Sequence, residues 1–441
     1  MGRLLKFTKA FLADREDGGF SIAALVMLPV FFLFMAAPIN VLNVLTHKER
    51  YQGFVDTLAY TALHEAFDQD NSIADVKQKV LDTTSSFENS ADMLAAITPQ
   101  DIIFGVWDED TRSFTPQNNS RKAVRIELDF AKVNSNPISD LFYSFVDNPQ
   151  RDLKVVSYAS TYRPNCFRNG LIALKTLVLK NDTNVGEGVC LHGLSKVIVY
   201  SGGSFAENSE VAVLTEDHLD GSYASNPGLE AAVETGRKHI ALLSQIGNVY
   251  NDLNSQTKTE FTPSYITTEK VLKLGPRVVQ PHRFTAGRIN YRRCKNGRRM
   301  KFERGKYENF VFISPNCAFT FAGGVTLTNV MIVTQNNWAQ SFFSFNRLAL
   351  GKQNDCADGN GAVWMSKGGA YLSAGLFAVG SQIISNTKIF VESGGSKRNV
   401  IKGSSLLSKG DIVLGAKNDI TSCKNDGTNE ILEVDYFKLA H

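Results

Sequence analysis

The most prominent feature of the apolar pattern is a long run without charge near the start of the chain. Residues 18–45 contain no Asp, Glu, Lys or Arg, and most of them are apolar. A helix rises about 1.5 Å per residue, so this run can cross a hydrocarbon core of roughly 30 Å. Pro29 and Pro38 lie inside it, and membrane helices tolerate both when neighbouring groups satisfy the freed carbonyls. The pattern therefore predicts a transmembrane helix over residues 19–46.

The positive charges around this run predict its orientation. Residues 1–18 hold four Lys and Arg residues, and Lys48 and Arg50 follow the run. Because Lys and Arg favour the cytoplasmic side, residues 1–18 are predicted to form a cytoplasmic tail, with the rest of the chain exported. A cleavable signal peptide has a shorter apolar core, and a pilin-type leader would carry an acid where Ala23 or Ala24 stands. The sequence therefore predicts that the N-terminal segment is retained.

Beyond the apolar run the period of the pattern changes twice. In residues 47–67 the apolar positions recur at steps of three and four, as in an amphipathic helix. Residues 101–107, 123–130 and 153–162 instead alternate as half-buried strands do. These patterns predict a stalk helix that continues the transmembrane helix, followed by a small α+β unit, together over residues 47–163.

Short apolar runs separated by Gly, Ser and Asn dominate the rest of the chain. They are densest over residues 309–415, where small-residue corners join them with no helical pattern between. Such a pattern is typical of a right-handed parallel β-helix, and an irregular β-sandwich is the alternative. We therefore predict a mainly β exported domain over residues 164–441, with a helical insertion near residues 228–255.

Charge and cysteine usage narrow the functional classes. The 441 residues carry a net charge of only +3, which is too small to imply a nucleic-acid partner. The six cysteines all follow the apolar run, and none are spaced as CxxC, which argues against a zinc ribbon or a redox motif. An even number in an exported domain predicts disulfides. Other connectivities stay open, but sequence order favours the simplest pairing, Cys166–Cys190, Cys294–Cys317 and Cys356–Cys423.

The densest charge surrounds the third cysteine, Cys294, and extends towards the fourth. Eight cations stand there close together: Arg292, Arg293, Lys295, Arg298, Arg299, Lys301, Arg304 and Lys306. This segment is a candidate loop for an anionic partner, such as an anionic polysaccharide, phospholipid headgroups or an acidic protein. A solvated hairpin with one packed aromatic face is the alternative interpretation.

Catalytic and metal-binding patterns are missing from the sequence. The histidines are scattered, and there is no HExxH, Walker loop or nucleophile elbow. Some β-helices are polysaccharide lyases or hydrolases, which need clustered carboxylates; the candidates are Asp355, Asp358, Asp411, Asp419 and Asp426. They lie mostly in Gly/Asn turns, where aspartate forms local backbone hydrogen bonds. We therefore expect no enzyme activity, no metal and no cofactor.

Four aromatic residues form a second patch in the β-rich part: Trp338, Phe342, Phe343 and Phe345. Exposed rings could stack on sugars, while buried rings would form a core cluster or cap one end of a β-helix. Of these interpretations the core cluster or cap is favoured, because aromatic side chains contribute most when they are buried.

Three stretches around the apolar run resemble the anchor of TadG-like proteins, which belong to the Tad (tight adherence, or Flp) pilus machinery. They are FLADREDGG before the run, ALVMLPVFF within it and RYQGFVD after it. Arg50, Gln52 and Asp56 keep the family's stem pattern, although Tyr51 stands where leucine is typical. The similarity covers about residues 11–163. The Asp-x-Ser-x-Ser metal site of some relatives is missing, so their metal-dependent adhesion is not implied.

The resemblance implies a structural protein. The chain would be a single-pass protein of the bacterial inner membrane, with its N-terminus in the cytoplasm and its C-terminal domain in the periplasm. It would contact membrane lipid, pilin-like proteins and other Tad pilus components. From the residues themselves, a membrane-tethered carbohydrate-binding or carbohydrate-cleaving β-helix stays open as the alternative, and an anionic polysaccharide would then be a partner.

Overall fold

The structure is a computed structural model with side chains. It describes residues 19–67, 72–85, 96–109, 111–118, 120–130, 153–162, 168–236, 241–259, 261–275, 278–295, 298–352, 356, 360–393, 398–423, 432 and 436–440. Between residues 19 and 40, the side chains described are those of Met27, Leu28, Phe31 and Pro38. The chain divides into two compact units, Met1–Tyr162 with Asp435–His441 and Arg163–Val434.

One long helix begins the first unit. Helix α1 spans Gly19–Phe67 and is followed by the short helix α2, Ile73–Thr84. The second half of α1 fully buries Val55, Leu58 and Ala62, which the steps of three and four place on one face. The predicted stalk segment is thus part of one continuous helix. Counting only the residues that the structure describes, none of the helices is both long and apolar enough to qualify as a membrane span.

Five antiparallel strands form the sheet of the first unit. They are β1 (Ile102–Asp108), β2 (Ser113–Pro116), β3 (Ala123–Asp129), β4 (Lys154–Tyr162) and β32 (Tyr436–Ala440). Their order is β2-β1-β3-β4-β32, and α1 packs on β3, β4 and β32. The sequence assigns residues 164–441 to one β-rich domain, but Leu439 of β32 lies opposite Ala159 of β4. The chain therefore returns to the first unit for its last strand.

The second unit is a solenoid of short parallel strands, which confirms the predicted β-helix architecture over the β-sandwich. Its strands are β5 (Gly170–Ala173), β6 (Thr176–Leu179), β7 (Thr183–Val185), β8 (Cys190–Gly193), β9 (Lys196–Val199), β10 (Ser204–Phe205), β11 (Glu210–Val213), β12 (Leu219–Gly221), β13 (Val233–Thr235), β14 (Thr268–Lys273), β15 (Val278–Val279), β16 (Arg288–Tyr291), β17 (Arg299–Phe302), β18 (Gly305–Ser314), β19 (Ala318–Phe321), β20 (Val325–Thr334), β21 (Phe342–Ser344), β22 (Leu348–Leu350), β23 (Ala362–Ser366), β24 (Ala370–Leu372), β25 (Phe377–Val379), β26 (Gln382–Ser385), β27 (Ile389–Val391), β28 (Asn399–Lys402), β29 (Ser405–Ser408), β30 (Ile412–Leu414) and β31 (Asn418–Thr421).

A complete turn of the solenoid has three strands, one on each of three sides, here called A, B and C. In the last turn, for example, β29 lies on side A, β30 on side B and β31 on side C. Strands β18 and β20 are long enough to continue from side C onto side A. About ten turns stack in this way.

The turns do not stack in the order of the sequence. Side B shows this directly, because its strands lie in the order β12-β9-β6-β30-β27-β24-β21-β19-β17-β15. The first coil, residues 170–213, and the second coil, residues 268–421, thus meet where β30 pairs with β6. Along the sequence, the segment that joins the two coils contains helices α3 (Leu229–Ala232) and α4 (Ile246–Asn254), within the predicted helical insertion. Helix α4 packs on β18 and β20.

Aromatic rings stack along the inside of the second coil. Phe342 and Trp364 have ring centroids 4.7 Å apart, and Phe321 and Trp364 have centroids 4.5 Å apart, with planes nearly parallel. All three are fully buried. Trp364 lies on side A and the two phenylalanines lie on side B, so these rings meet across the interior of the coil. Of the predicted aromatic patch, Phe342 therefore belongs to the core.

Candidate functional site

The basic stretch of residues 292–306 does not form a hairpin. Its second half forms β17 and enters β18, and these strands pair in parallel with β19 and β20 of the next turn. Phe302 and Tyr307 point inward and are buried, whereas Lys301 and Lys306 are exposed. The hairpin interpretation is therefore wrong, although its packed aromatic face is present. Alternation of period two is the same in a hairpin strand and in a coil strand.

The coil separates the eight cations instead of gathering them. Arg292 donates to two backbone carbonyl oxygens of the preceding turn. Arg299 donates to Oε1 of Gln340 at 2.9 Å and lies over the ring of Phe343, and burial lowers the pKa of its guanidinium. These two arginines are therefore engaged within the solenoid. The exposed members are Arg293, Lys295, Arg298, Lys301, Arg304 and Lys306.

Lys306 contributes to an open cleft on side C that the sequence did not reveal. The cleft has a volume of about 600 Å³ and runs across the outward faces of β18, β20 and β22. Its charged rim consists of Lys306, Glu308, Arg347 and Lys352. Three successive turns of the solenoid therefore build it.

Small residues form the floor of the cleft. Thr326 and Ala349 follow Lys306 in register on the next two turns, so a long side chain is succeeded by two short ones. Gly351 ends the floor with a φ of +84°, and a Cβ there would lie 2.0 Å from the carbonyl oxygen of Val379. That conformation and that close contact require glycine. The depression is therefore a consequence of how this part of the coil folds.

The charges around the cleft favour an anion. Lys306, Arg347 and Lys352 outnumber Glu308, and within the described part of the chain none of the three cations has an ionic partner. Arg304 adds a fourth cation, because it lies against the glycine corner beside the cleft. Together these groups can bind an anion and offer a carboxylate to a ligand hydroxyl. Cleavage of a glycosidic bond would ordinarily need a second carboxylate beside Glu308.

Sequence reasoning found Lys306 but missed Arg347 and Lys352. These two residues belong to a later turn, and they join Lys306 only when the turns stack. The one sequence signal that could have linked residues of different turns is a repeat with the length of one turn. Cys190, for example, lies opposite Gly170 on one neighbouring turn and opposite Glu210 on the other. The repeat is too irregular in length between β20 and β22 to align the three cations from sequence.

The predicted disulfides are present wherever both cysteines are described. Those two bonds are Cys294–Cys317, with Cα atoms 5.1 Å apart, and Cys356–Cys423, with Cα atoms 5.8 Å apart. Cys190 is disulfide-bonded as well, and its predicted partner, Cys166, lies outside the described residues. Side-chain amide hydrogen bonds support the first bond, because Asn316 donates to the carbonyl oxygen of Cys294 at 2.8 Å. The disulfides therefore fasten one turn to another.

The candidate aspartates that the structure describes have structural partners. Asp411 accepts a hydrogen bond from the backbone N–H of Thr176 at 3.2 Å. Asp419 accepts from Nε of Arg398 at 2.8 Å. Asp355, Asp358 and Asp426 lie outside the described residues. Among those that are described, no three His, Cys, Asp or Glu side chains come together as a metal site.

The outward aromatic residues on side B form a ladder. Phe343 stacks on Tyr371 with centroids 5.5 Å apart, and Tyr371 stacks on Phe390 at 4.8 Å. Because the ring faces cover one another, the ladder does not offer them to a sugar. Trp338 and Phe345 are exposed at two different corners of the coil. The structure therefore divides the predicted patch among the core, the ladder and two corners.

A comparison with protein families matches residues 170–424 to a domain of unknown function, DUF7867. This range coincides with the solenoid. No curated protein matches the chain significantly.

Proposed function

The chain belongs to the DUF7867 family, and we propose that it is a membrane-anchored structural component of a Tad-type (Flp, type IVb) pilus apparatus. In this proposal residues 19–46 cross the bacterial inner membrane and residues 1–18 stay in the cytoplasm. The solenoid, with the right-handed coil typical of parallel β-helices, stands in the periplasm. It works by contact with pilin-like proteins and other pilus components.

The difference between the two halves of α1 carries this proposal. The second half is built into the first unit, with Leu58 and Ala62 fully buried. The first half leaves large apolar side chains exposed: Met27 by 67%, Phe31 by 62% and Leu42 by 63%. Several large apolar side chains exposed on one stretch of helix favour a surface that contacts something apolar. Lipid suits this helix best, because a charge-free run of this length matches the hydrocarbon core.

The residue pattern supports the same arrangement, and the resemblance names the apparatus. Residues 18–45 carry no charge, and most of their side chains lie outside the described set. The similarity to TadG-like anchors covers residues 11–163, and it suggests pilin-like proteins as neighbours of α1 within the membrane. The family match covers the solenoid, so the two comparisons concern different parts of the chain.

Disulfide bonding supports the periplasm as the compartment of the solenoid. Cys294–Cys317 and Cys356–Cys423 are bonded, and so is Cys190. Disulfides form and persist in oxidising compartments such as the periplasm and are rare in the cytosol. The arrangement therefore agrees with a cytoplasmic tail and an exported solenoid.

Deletion of the gene in its own bacterium tests the proposal. We expect fewer pili in electron micrographs and weaker attachment to surfaces, and the full chain supplied in trans should restore both. A chain lacking residues 19–46 should not restore them, although its solenoid is intact. Normal piliation and attachment in the deletion strain would contradict the proposed function.

A further inference from the structure

We propose that the cleft on side C binds a segment of an acidic polysaccharide, with Lys306, Arg347 and Lys352 pairing with its carboxylate or sulfate groups. The inference goes beyond the pilus assignment and does not depend on it. It concerns a surface of the solenoid alone, and binding can be measured on the purified chain whether or not pili are affected.

The shape of the cleft suits an extended chain. It crosses β18, β20 and β22, whose spacing of about 4.8 Å per turn gives a floor roughly 10 Å long in the direction of the stack. Its volume of about 600 Å³ lies within the usual range for small-ligand sites. The cleft is open rather than enclosed, so a polymer can lie in it and continue beyond both ends.

The placement of the cations favours a polymer over a compact anion as the ligand of the cleft. Lys306 stands on one turn, whereas Arg347 and Lys352 stand two turns further along, on either side of the floor residue Ala349 in the chain. A single phosphate is held best by donors that converge on one point, such as backbone N–H groups or a buried bidentate arginine. Exposed cations around an elongated floor instead match charges that repeat along a chain.

The remaining polar groups favour a sugar over a plain polyanion. Thr326 presents a hydroxyl on the floor, and Glu308 places a carboxylate on the rim beside Lys306. Glu308 would repel a ligand that carries only negative charge, but it can accept hydrogen bonds from sugar hydroxyls. An acidic sugar unit carries both an anionic group and hydroxyls. The cations can therefore pair with its anionic group while Glu308 accepts hydrogen bonds from its hydroxyls.

The test is a calorimetric titration of the full-length chain in detergent. The probes are an oligogalacturonate and an oligomer of dextran sulfate, with the methyl-esterified oligogalacturonate as the uncharged match. Inorganic phosphate and an oligoglutamate peptide represent a compact anion and an acidic protein. We expect at least one acidic oligosaccharide to bind with an affinity that falls with salt, and the esterified form not to bind.

Two triple variants separate the cleft from general surface charge. The change Lys306→Gln/Arg347→Gln/Lys352→Gln should weaken binding by about ten- to hundredfold, as three exposed ion pairs would. The control Lys175→Gln/Lys180→Gln/Lys409→Gln removes the same charge from exposed positions elsewhere on the solenoid. It should leave the affinity within about twofold.

A variant that is expected to bind more tightly distinguishes the loss of a cleft contact from misfolding, because a misfolded protein would not gain affinity. Glu308→Gln removes the repulsion while keeping a hydrogen-bond acceptor, so we expect it to strengthen binding by about two- to fivefold. Equal losses in both triple variants would overturn the proposal. So would displacement of the oligosaccharide by inorganic phosphate, equal binding of oligoglutamate, or no binding of either acidic oligosaccharide.

Discussion

At the scale of single residues, a column of buried polar groups joins the two coils of the solenoid. Asn399 donates to the side-chain oxygen of Asn418 at 2.9 Å, and Asn418 donates to the hydroxyl of Thr183 in the first coil at 2.9 Å. Arg398, beside this column, donates to both carboxylate oxygens of Asp182 at 2.9 Å. Buried amides with satisfied partners specify one arrangement. The contact between the first and last turns is therefore specific.

The first prediction concerns the amide of Asn399, which is fully buried. Its oxygen accepts the backbone N–H groups of Gly375 and Leu376 at 2.9 and 3.1 Å. Asn399→Leu leaves these groups without an acceptor, so the free energy of unfolding should fall by about 3 kcal/mol. Asn181→Leu, at an exposed position, should change it by less than about 0.5 kcal/mol. Guanidinium titrations that show equal small losses would contradict this role.

A second prediction at this scale concerns Glu127 and acid. The hydrogen bond from Lys154 lowers the pKa of the Glu127 carboxyl from 4.5, Arg125 acts in the same direction, and burial opposes both. A folded-state pKa below the unfolded one means that these ion pairs stabilise the fold above the unfolded pKa. The stabilisation is lost as the pH falls through the folded pKa.

Stability of the full chain should therefore fall more steeply on acidification than that of the Glu127→Gln variant. We expect the difference to be about 1 kcal/mol near neutral pH and to vanish once the pH lies below the folded-state pKa of Glu127. Glu49→Gln, at an exposed position of α1, serves as the matched control. Thermal unfolding from pH 7 downward measures how the stability of the three proteins depends on pH. The same pH dependence for the parent and both variants would contradict a stabilising role of the Glu127 ion pairs.

At the scale of elements, hydroxyl groups at one corner align the strands of side A. Strands β18, β20, β23, β26 and β29 end in register on Ser314, Thr334, Ser366, Ser385 and Ser408, all buried. The hydroxyls of Thr334, Ser385 and Ser408 each donate to a carbonyl oxygen of the preceding turn at 2.7–2.8 Å. Each corner is thereby tied to the turn before it.

The strands could be predicted from the sequence, but their partners could not. Apolar runs broken by Gly and Ser are local signals, so the strands and corners were foreseeable. Nothing in the residues of β29 indicates that it meets β5 rather than ending the stack. The cleft depends on such pairings, so Lys306 could not be linked to Arg347 and Lys352. The basic stretch resembled a hairpin because period two does not distinguish parallel from antiparallel strands.

The Cys294–Cys317 bond gives a prediction about neighbouring turns. It spans a sequence separation of 23 residues, for which the chain-entropy model gives about 3 kcal/mol. Cys294→Ser/Cys317→Ser should lose about that much unfolding free energy under oxidising conditions. In excess dithiothreitol the variant and the parent should unfold alike. Equal stability before reduction, or alkylatable thiols in the oxidised parent, would contradict this assignment.

At the scale of the whole molecule, the stack order predicts which strands are protected from hydrogen exchange. Strand β6 comes early in the sequence, yet it pairs with β30 on one side and β9 on the other. Strands β12 and β15 end the side B sheet. Amides of β6 should therefore exchange about as slowly as those of β27, and those of β12 and β15 much faster. Fast exchange in β6 would indicate that the two coils do not stack on each other.

The same order has a consequence for assembly. The first coil cannot complete its pairing until the second coil reaches β31, because β29, β30 and β31 pair with β5, β6 and β7. Pairing between residues this distant in sequence closes a long loop, which slows folding. The stack of the solenoid is therefore complete only when β31 has joined it.

The account centres on an exported solenoid held at the membrane by α1, and a protease-protection measurement tests it most directly. The full chain with a tag on each terminus is expressed in a bacterium, and protease is added to spheroplasts. We expect the C-terminal tag to be digested and a small N-terminal fragment to stay protected in the membrane fraction.

Phe31→Arg should reduce membrane insertion, since an arginine near the helix centre costs about 2.5–3.5 kcal/mol. Gly53→Arg, at an exposed position with open space around it, should not. A parent protein that fractionates as soluble, or whose solenoid stays protected in spheroplasts, would contradict the account.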